Sequence, residues 1–318
     1  MYDTCFLHCG HAKTGSTSIQ NTLAVNRDLI AEQSGLTYPE ALDRTGGNHI
    51  AFVGRPYVDA PRSLMTAPRI EGALNTYFAE HPGDGGNIAF SSESVSSLKP
   101  DELVRLRDDL LGGCRQVKLV IYCRHPLSFA PSFAQTQIKN GKRSLTDCCA
   151  APRFVQYSKV LPRYEKVFGR DDVIVRDSSR TALNGGDIVR DFLELATGKP
   201  DIADDPDFKP VQANTSLSMT ATVVTDYMHR TWPGLGLKNN RVKAFAAQFG
   251  GDRFCLPLAA RTLIEAEMDR DLAYVAETYG VGLRLDGEPP FADVDYAALL
   301  TPEIRAQAAE LAAEFGAA

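Results

Sequence analysis

Residues 13–18 combine one lysine, one glycine and four hydroxyl side chains directly after an apolar stretch. The apolar stretch, Cys5–Cys9, predicts a strand, and the small polar residues predict a turn that leads into a helix from about Thr17 to Gln33. Such a turn lets backbone N–H groups converge on a phosphate-sized anion, and the helix adds the positive end of its dipole. The sequence therefore predicts a nucleotide-type anion site formed by Lys13, Thr14, Gly15, Ser16, Thr17 and Ser18.

The order of residues in this loop differs from that of nucleoside triphosphatases, which have a lysine directly after the second glycine. Gly10 and Gly15 have the expected separation, but Ser16 follows Gly15 and Lys13 precedes it. No apolar strand ends in an Asp at a position suited to magnesium, which phosphoryl transfer from ATP requires. A kinase with a variant phosphate loop is therefore disfavoured, although it stays open as an alternative. A non-catalytic nucleotide-binding module is the other alternative.

A second motif lies at the end of another strand-like run, Val117–Cys123. The run is followed by Arg124, and Ser132 comes eight residues later. A guanidinium at a strand end and a hydroxyl on the following helix can both reach one phosphate. With the loop at 13–18, this motif resembles the sulfotransferases that use 3′-phosphoadenosine 5′-phosphosulfate (PAPS). The resemblance implies that the loop binds the 5′-phosphosulfate and that Arg124 and Ser132 bind the 3′-phosphate.

Transfer of a sulfuryl group requires a base for the acceptor and a cation for the leaving group. Negative charge builds on the oxygen that bridges to the departing adenosine 3′,5′-bisphosphate, and Lys13 is expected to stabilise it. Two residues are candidates for the base. Glu93 ends the strand before the Arg124 strand, in a region where the family has a catalytic His or Glu. His49 has the better intrinsic pKa near neutrality, but Glu93 is favoured by its position.

A third stretch, Asp172–Asp177 and the helix after it, resembles the family's later strand, whose end lies near the adenine. Arg176 is expected to help neutralise the bound PAPS. The resemblance implies transfer to a hydroxyl, or alternatively an amine, of a carbohydrate or small metabolite.

The alternation of predicted strands and helices indicates an α/β fold. We expect a three-layer sandwich, with a central and mainly parallel sheet between helices and with ligands at the carboxyl ends of the strands. The whole chain, residues 1–318, is expected to be one sulfotransferase domain. Its nucleotide-binding core spans residues 1–216, with an insertion at about 35–85, and residues 217–318 form a mainly helical covering region.

Composition indicates which classes of partner and which cellular compartment to expect. A net charge of -6 argues against a nucleic-acid-binding surface, and no window is apolar enough to span a membrane. Seven cysteines, two of them adjacent, do not resemble a disulfide framework, so a reduced cytoplasmic protein is expected. Cys5, His8, Cys9 and His11 do not share one face of a strand, which argues against zinc. We expect neither a metal nor a redox cofactor.

Overall fold

The computed structural model describes residues 1–10, 13–40, 47–49, 76–83, 85–211, 216–237 and 239–316. The chain divides into two compact units. The first contains residues 1–124, 157–213 and 273–284, and the second contains residues 125–156, 214–272 and 285–318. This division differs from the boundary expected at residue 216, because residues 125–156 group with the C-terminal helices.

The first unit is built on a parallel four-stranded sheet with strand order β2-β1-β3-β4. The strands are β1 (Tyr2–Cys9), β2 (Ile88–Ser92), β3 (Cys114–Cys123) and β4 (Val173–Asp177). Leu7 of the central strand β1 pairs with Phe90 of β2 and with Leu119 of β3, and all three side chains are fully buried. The predicted α/β class with a parallel sheet is confirmed.

The helices follow the predicted alternation. Their bounds are α1 (Ser16–Val25), α2 (Arg27–Ser34), α3 (Pro100–Arg105), α4 (Pro126–Lys139), α5 (Leu145–Ala150), α6 (Tyr157–Phe168), α7 (Ile188–Thr197), α8 (Met219–Thr231), α9 (Asn239–Ala246), α10 (Leu258–Tyr279) and α11 (Pro302–Glu314). The predicted helical C-terminal third corresponds to α8 through α11.

Helices cover both faces of the sheet. On one face, α1 and α7 bury Ile19 and Phe192 against Val120 and Tyr122 of β3. On the other face lies α6, whose Tyr164 hydroxyl is 3.6 Å from the Cys9 sulfur at the end of β1. Because α3 packs against α6, this second layer also contains two helices. The expected three-layer sandwich is therefore confirmed in the first unit.

The helix expected from about residue 17 to residue 33 is broken at Asn26, which has φ -114° and ψ 19°. The Asn26 amide pairs with both backbone groups of Lys209: Nδ2 donates to the carbonyl at 3.0 Å, and Oδ1 accepts from the N–H at 2.9 Å. Nδ2 also donates to the Thr22 carbonyl at 2.7 Å. A single continuous helix was the wrong prediction, because the break depends on a segment more than 180 residues away.

The second unit is helical, and α4 packs against α8 in it. Leu127 and Ala134 of α4 share a core with Met219 and Val223 of α8. The buried side chain of Gln135 adds a pair of hydrogen bonds, since its amide donates to the Leu217 carbonyl at 2.9 Å and accepts from the Leu217 N–H at 3.1 Å. Across the described ranges, no helix combines the length and apolarity needed to cross a membrane.

Candidate functional site

The predicted phosphate loop connects β1 to α1 at the carboxyl edge of the sheet. Residues 11 and 12 lie outside the described part of the chain. Lys13 has φ 67°, and it is the one non-glycine residue with a positive φ among those that the structure describes. Gly15, with φ 83°, immediately precedes α1. The loop therefore contains two residues with positive φ that are separated only by Thr14, and an L-residue such as Lys13 adopts this conformation at a cost.

The start of α1 faces the loop with its N-terminal donors. Within the described residues, no side chain caps this helix end. Ser18 and Ile19 donate their N–H groups to the Gly15 carbonyl, at 2.9 and 3.2 Å, and thereby close the first turn. Thr14 and Ser16 are buried, whereas Thr17 and Ser18 are half-buried. The positive end of the helix dipole is therefore presented beside Lys13.

Gly10 ties the loop closely to Glu93. A Cβ atom at Gly10 would lie 2.9 Å from Ser16 Cβ and 3.0 Å from Glu93 Cγ, so a larger residue cannot fit without displacing one of them. We predicted Gly10 only as part of the spacing argument and not as a site residue. A glycine directly after a buried strand was the signal that could have identified it.

Arg124 lies directly after β3 and joins the loop through its guanidinium. Its Nη1 donates to the Lys13 carbonyl at 2.9 Å. Its own backbone is held by buried Tyr157, whose hydroxyl accepts from the Arg124 N–H at 2.8 Å and donates to the Arg124 carbonyl at 3.0 Å. Sequence reasoning missed Tyr157, because it lies on α6 and is distant from Arg124 along the chain. The strand end that carries Arg124 is thus fixed from two sides.

Lys13, Glu93 and Arg124 interact electrostatically within the first unit. Burial lowers the pKa of Lys13, neighbouring Arg124 lowers it further, and Glu93 opposes both. Burial raises the pKa of Glu93, and Lys13 partly offsets the rise. In the described part of the chain, neither the Lys13 ammonium nor the Glu93 carboxylate has a hydrogen bond or an ion pair. A half-buried acid and base without partners are typical of a site that binds a polar ligand.

No protein-family model, curated protein or solved structure matches this chain. The geometry around Lys13, Glu93 and Arg124 therefore carries the functional assignment.

His49, the second candidate base, is fully buried and bonded through both ring nitrogens. Nε2 lies 2.9 Å from the Pro39 carbonyl, and Nδ1 accepts from the Ser91 N–H at 3.1 Å. A carbonyl can only accept, so Nε2 carries the proton and the ring is the neutral tautomer. This arrangement leaves neither nitrogen directed at a substrate and favours Glu93 as the base.

Arg176 is paired with a buried carboxylate. Its guanidinium donates through Nε to Asp191 Oδ2 at 3.1 Å and through Nη2 to Asp191 Oδ1. Tyr122 donates its hydroxyl to the same carboxylate at 2.8 Å. The arrangement gives Arg176 a structural role between β4 and α7. Its predicted contact with the cofactor stays a prediction.

Ser132 lies in α4, which belongs to the second unit, and it is half-buried. Its carbonyl accepts from the Thr136 hydroxyl at 3.1 Å. The predicted role of Ser132 beside Arg124 stays a prediction. His11 of the zinc hypothesis lies outside the described residues, and the described residues contain no group of three or more His, Cys, Asp or Glu that could hold a metal.

A buried polar network anchors the strand that precedes Glu93. Ser91 Oγ lies 2.7 Å from His8 Nδ1 and accepts from Gln20 Nε2 at 3.1 Å. The network connects β2 to β1 and α1, and all three side chains are buried. Because Ser91 lies two residues before Glu93, it fixes the base relative to the phosphate loop. Neither His8 nor Gln20 was predicted to support the site, since their contacts with Ser91 form only in the folded chain.

Proposed function

We propose that the chain is a sulfotransferase that uses PAPS as its sulfuryl donor. The observation that carries this proposal is the cluster of Lys13, Glu93 and Arg124, whose two cations and one carboxylate lie at the carboxyl edge of one parallel sheet. Ligands of open α/β sheets bind at that edge. The order of residues in the loop and the Arg124 motif favour PAPS over ATP.

Positive charge in the site is concentrated where the anionic sulfuryl donor is proposed to bind. Lys13, the N-terminus of α1 and Arg124 supply it in a protein of net charge -6. In the proposed complex the loop holds the 5′-phosphosulfate, with donors from residues 14–18, and Arg124 binds the 3′-phosphate. The product that remains bound after transfer is adenosine 3′,5′-bisphosphate.

The proposed reaction is an in-line displacement at sulfur. Glu93 accepts the proton of the acceptor hydroxyl while the hydroxyl oxygen forms a bond to sulfur. The bond between sulfur and the bridging phosphate oxygen breaks, and its electron pair stays on the departing nucleotide. Lys13 stabilises the charge that develops on that oxygen, an interaction that strengthens in the transition state. The raised pKa of Glu93 makes it a better base than an exposed carboxylate.

The acceptor is proposed to be a hydroxyl, or alternatively an amine, of a carbohydrate or small metabolite. A cytoplasmic, reducing environment is part of the proposal, and it is supported by seven cysteines that are all free thiols. The net charge of -6 supports a small or glycan acceptor rather than a nucleic acid.

Transfer of radiolabelled sulfate from PAPS to a panel of hydroxyl and amine acceptors tests the activity. We expect Glu93→Gln to lower the rate by about 100-fold or more, the size typical of a general base. The matched variant His49→Gln is expected to keep the rate if it folds. Full activity of Glu93→Gln would contradict the assignment of the base, and transfer of phosphate from ATP instead would favour the kinase alternative.

A further inference from the structure

The hydroxyl of Ser178 is buried without a partner. Its Oγ is shielded from solvent and has no hydrogen bond within the part of the chain that the structure describes. Its backbone is ordered by the sheet, because the Ser178 N–H donates to the Cys123 carbonyl at 2.8 Å. A buried hydroxyl that has lost its water without gaining a partner is unfavourable. The position therefore calls for an explanation.

The register of the sheet brings Ser178 beside Arg124. Tyr122 pairs with Arg176 and Cys123 pairs with Asp177, so the next pair along the two strand ends is Arg124 and Ser178. Side chains alternate between the two faces of a sheet. Tyr122 of β3 and Ile174 of β4 pack into the core under α1 and α7. By the same alternation, Arg124 and Ser178 belong to that face, where the phosphate loop also enters α1.

The neighbouring hydroxyl, Ser179, is used differently. Ser179 Oγ donates to Asp177 Oδ2 at 2.6 Å, and the Ser179 N–H donates to Asp177 Oδ1 at 3.0 Å. The Arg284 N–H completes this carboxylate with a third bond, at 3.0 Å to Oδ2. Asp177 is thus satisfied by groups other than Ser178. Of the two consecutive serine hydroxyls, that of Ser179 stabilises the fold, whereas that of Ser178 has no hydrogen-bond partner among the described residues.

We infer that Ser178 Oγ donates a hydrogen bond to the phosphate monoester that Arg124 binds. The inference rests on the proposed function, because it assigns a further binding residue to the same donor nucleotide. A guanidinium supplies charge and direction, and a hydroxyl on the adjacent strand end supplies a second donor to another oxygen of one phosphate. Rotation about χ1 between staggered wells is the only side-chain motion that the serine needs.

Calorimetric titration of Ser178→Ala with adenosine 3′,5′-bisphosphate and with adenosine 5′-monophosphate tests the inference. Removing a hydrogen bond to a charged group is expected to weaken binding of the bisphosphate by about 10-fold or more. Binding of the monophosphate, which lacks the 3′-phosphate, is expected to be unchanged. Thr262→Ala, which removes an exposed hydroxyl from α10, is the matched control and is expected to bind both ligands as the wild type does.

The outcomes separate the inference from the proposed function. If the wild type prefers the bisphosphate and Ser178→Ala retains that preference in full, the role of Ser178 is wrong while the proposed function stands. Equal weakening toward both nucleotides would also overturn it, because Ser178 would then act on the fold of the site. If the wild type itself does not prefer the bisphosphate, the proposed function fails, and the inference fails with it.

Discussion

Lys13 combines a strained backbone with a charge that no hydrogen bond holds in the described structure. Its φ of 67° is a conformation that suits glycine, and its ammonium forms no hydrogen bond or close ion pair with the described residues. Lys13 is also half-buried beside Arg124, which makes the charged form harder to maintain. A residue that is unfavourable in both respects contributes little to folding. We therefore assign the lysine to the chemistry of the loop and not to its stability.

Lys13→Gly separates these two contributions. Glycine relieves the left-handed strain but gains entropy in the unfolded chain, so the free energy of unfolding is expected to stay within about 1 kcal/mol of the wild-type value. The rate of sulfuryl transfer is expected to fall by about 100-fold or more, as for other lost transition-state donors. Urea unfolding and single-turnover transfer measure the two quantities. A variant that keeps its activity would contradict the role of Lys13.

The pKa shifts of Glu93 and Lys13 predict a bell-shaped dependence of kcat/KM on pH. Activity rises with pH as Glu93 loses its proton, at a pH above the usual carboxyl value of 4.5 because burial raises its pKa. Activity falls again as Lys13 loses its proton, below the usual lysine value of 10.5. Residual activity of Glu93→Gln should lack the acid limb. An unchanged acid limb in that variant would exclude Glu93 as the titrating base.

Among the elements, β3 and the α6 helix together position Arg124. The single hydroxyl of Tyr157 satisfies both the N–H and the carbonyl of Arg124 at the point where β3 ends. The phenol therefore satisfies both backbone groups of Arg124 with one hydroxyl. The direction of the Arg124 side chain therefore depends on Tyr157, which is itself buried.

Tyr157→Phe is expected to lower both stability and ligand affinity. Loss of the hydroxyl removes both hydrogen bonds to the Arg124 backbone, at a cost of about 1–3 kcal/mol. Affinity for adenosine 3′,5′-bisphosphate should fall as well, because the hydroxyl no longer holds the Arg124 backbone. Tyr164→Phe is the matched control, since it removes another buried hydroxyl from the same helix, one that contacts Cys9 and Arg163. Equal loss of affinity in both variants would show that Tyr157 has no special role in positioning Arg124.

At the scale of the whole molecule, the sequence predicted the class of fold and the charged residues of the site. Strand and helix periodicity is local, and the motifs containing Lys13 and Arg124 are contiguous. What sequence reasoning missed depends on contacts between distant segments. The Lys209 backbone is hydrogen-bonded to Asn26, where the first helix ends, and Asp191 is paired with Arg176. Both ring nitrogens of His49 are bonded to backbone groups. None of these pairings has a local signature, because each forms only when the chain folds.

Binding of adenosine 3′,5′-bisphosphate to the intact chain in the presence of EDTA tests the central claim most directly. We predict that thermal-shift and calorimetric titrations detect this ligand without a divalent cation, and that ATP under the same conditions causes no stabilisation. Arg124→Ala is expected to weaken the binding by about 10-fold or more, because it removes a charged hydrogen-bond donor. Stabilisation by ATP only in the presence of magnesium, with no response to the bisphosphate, would contradict the account.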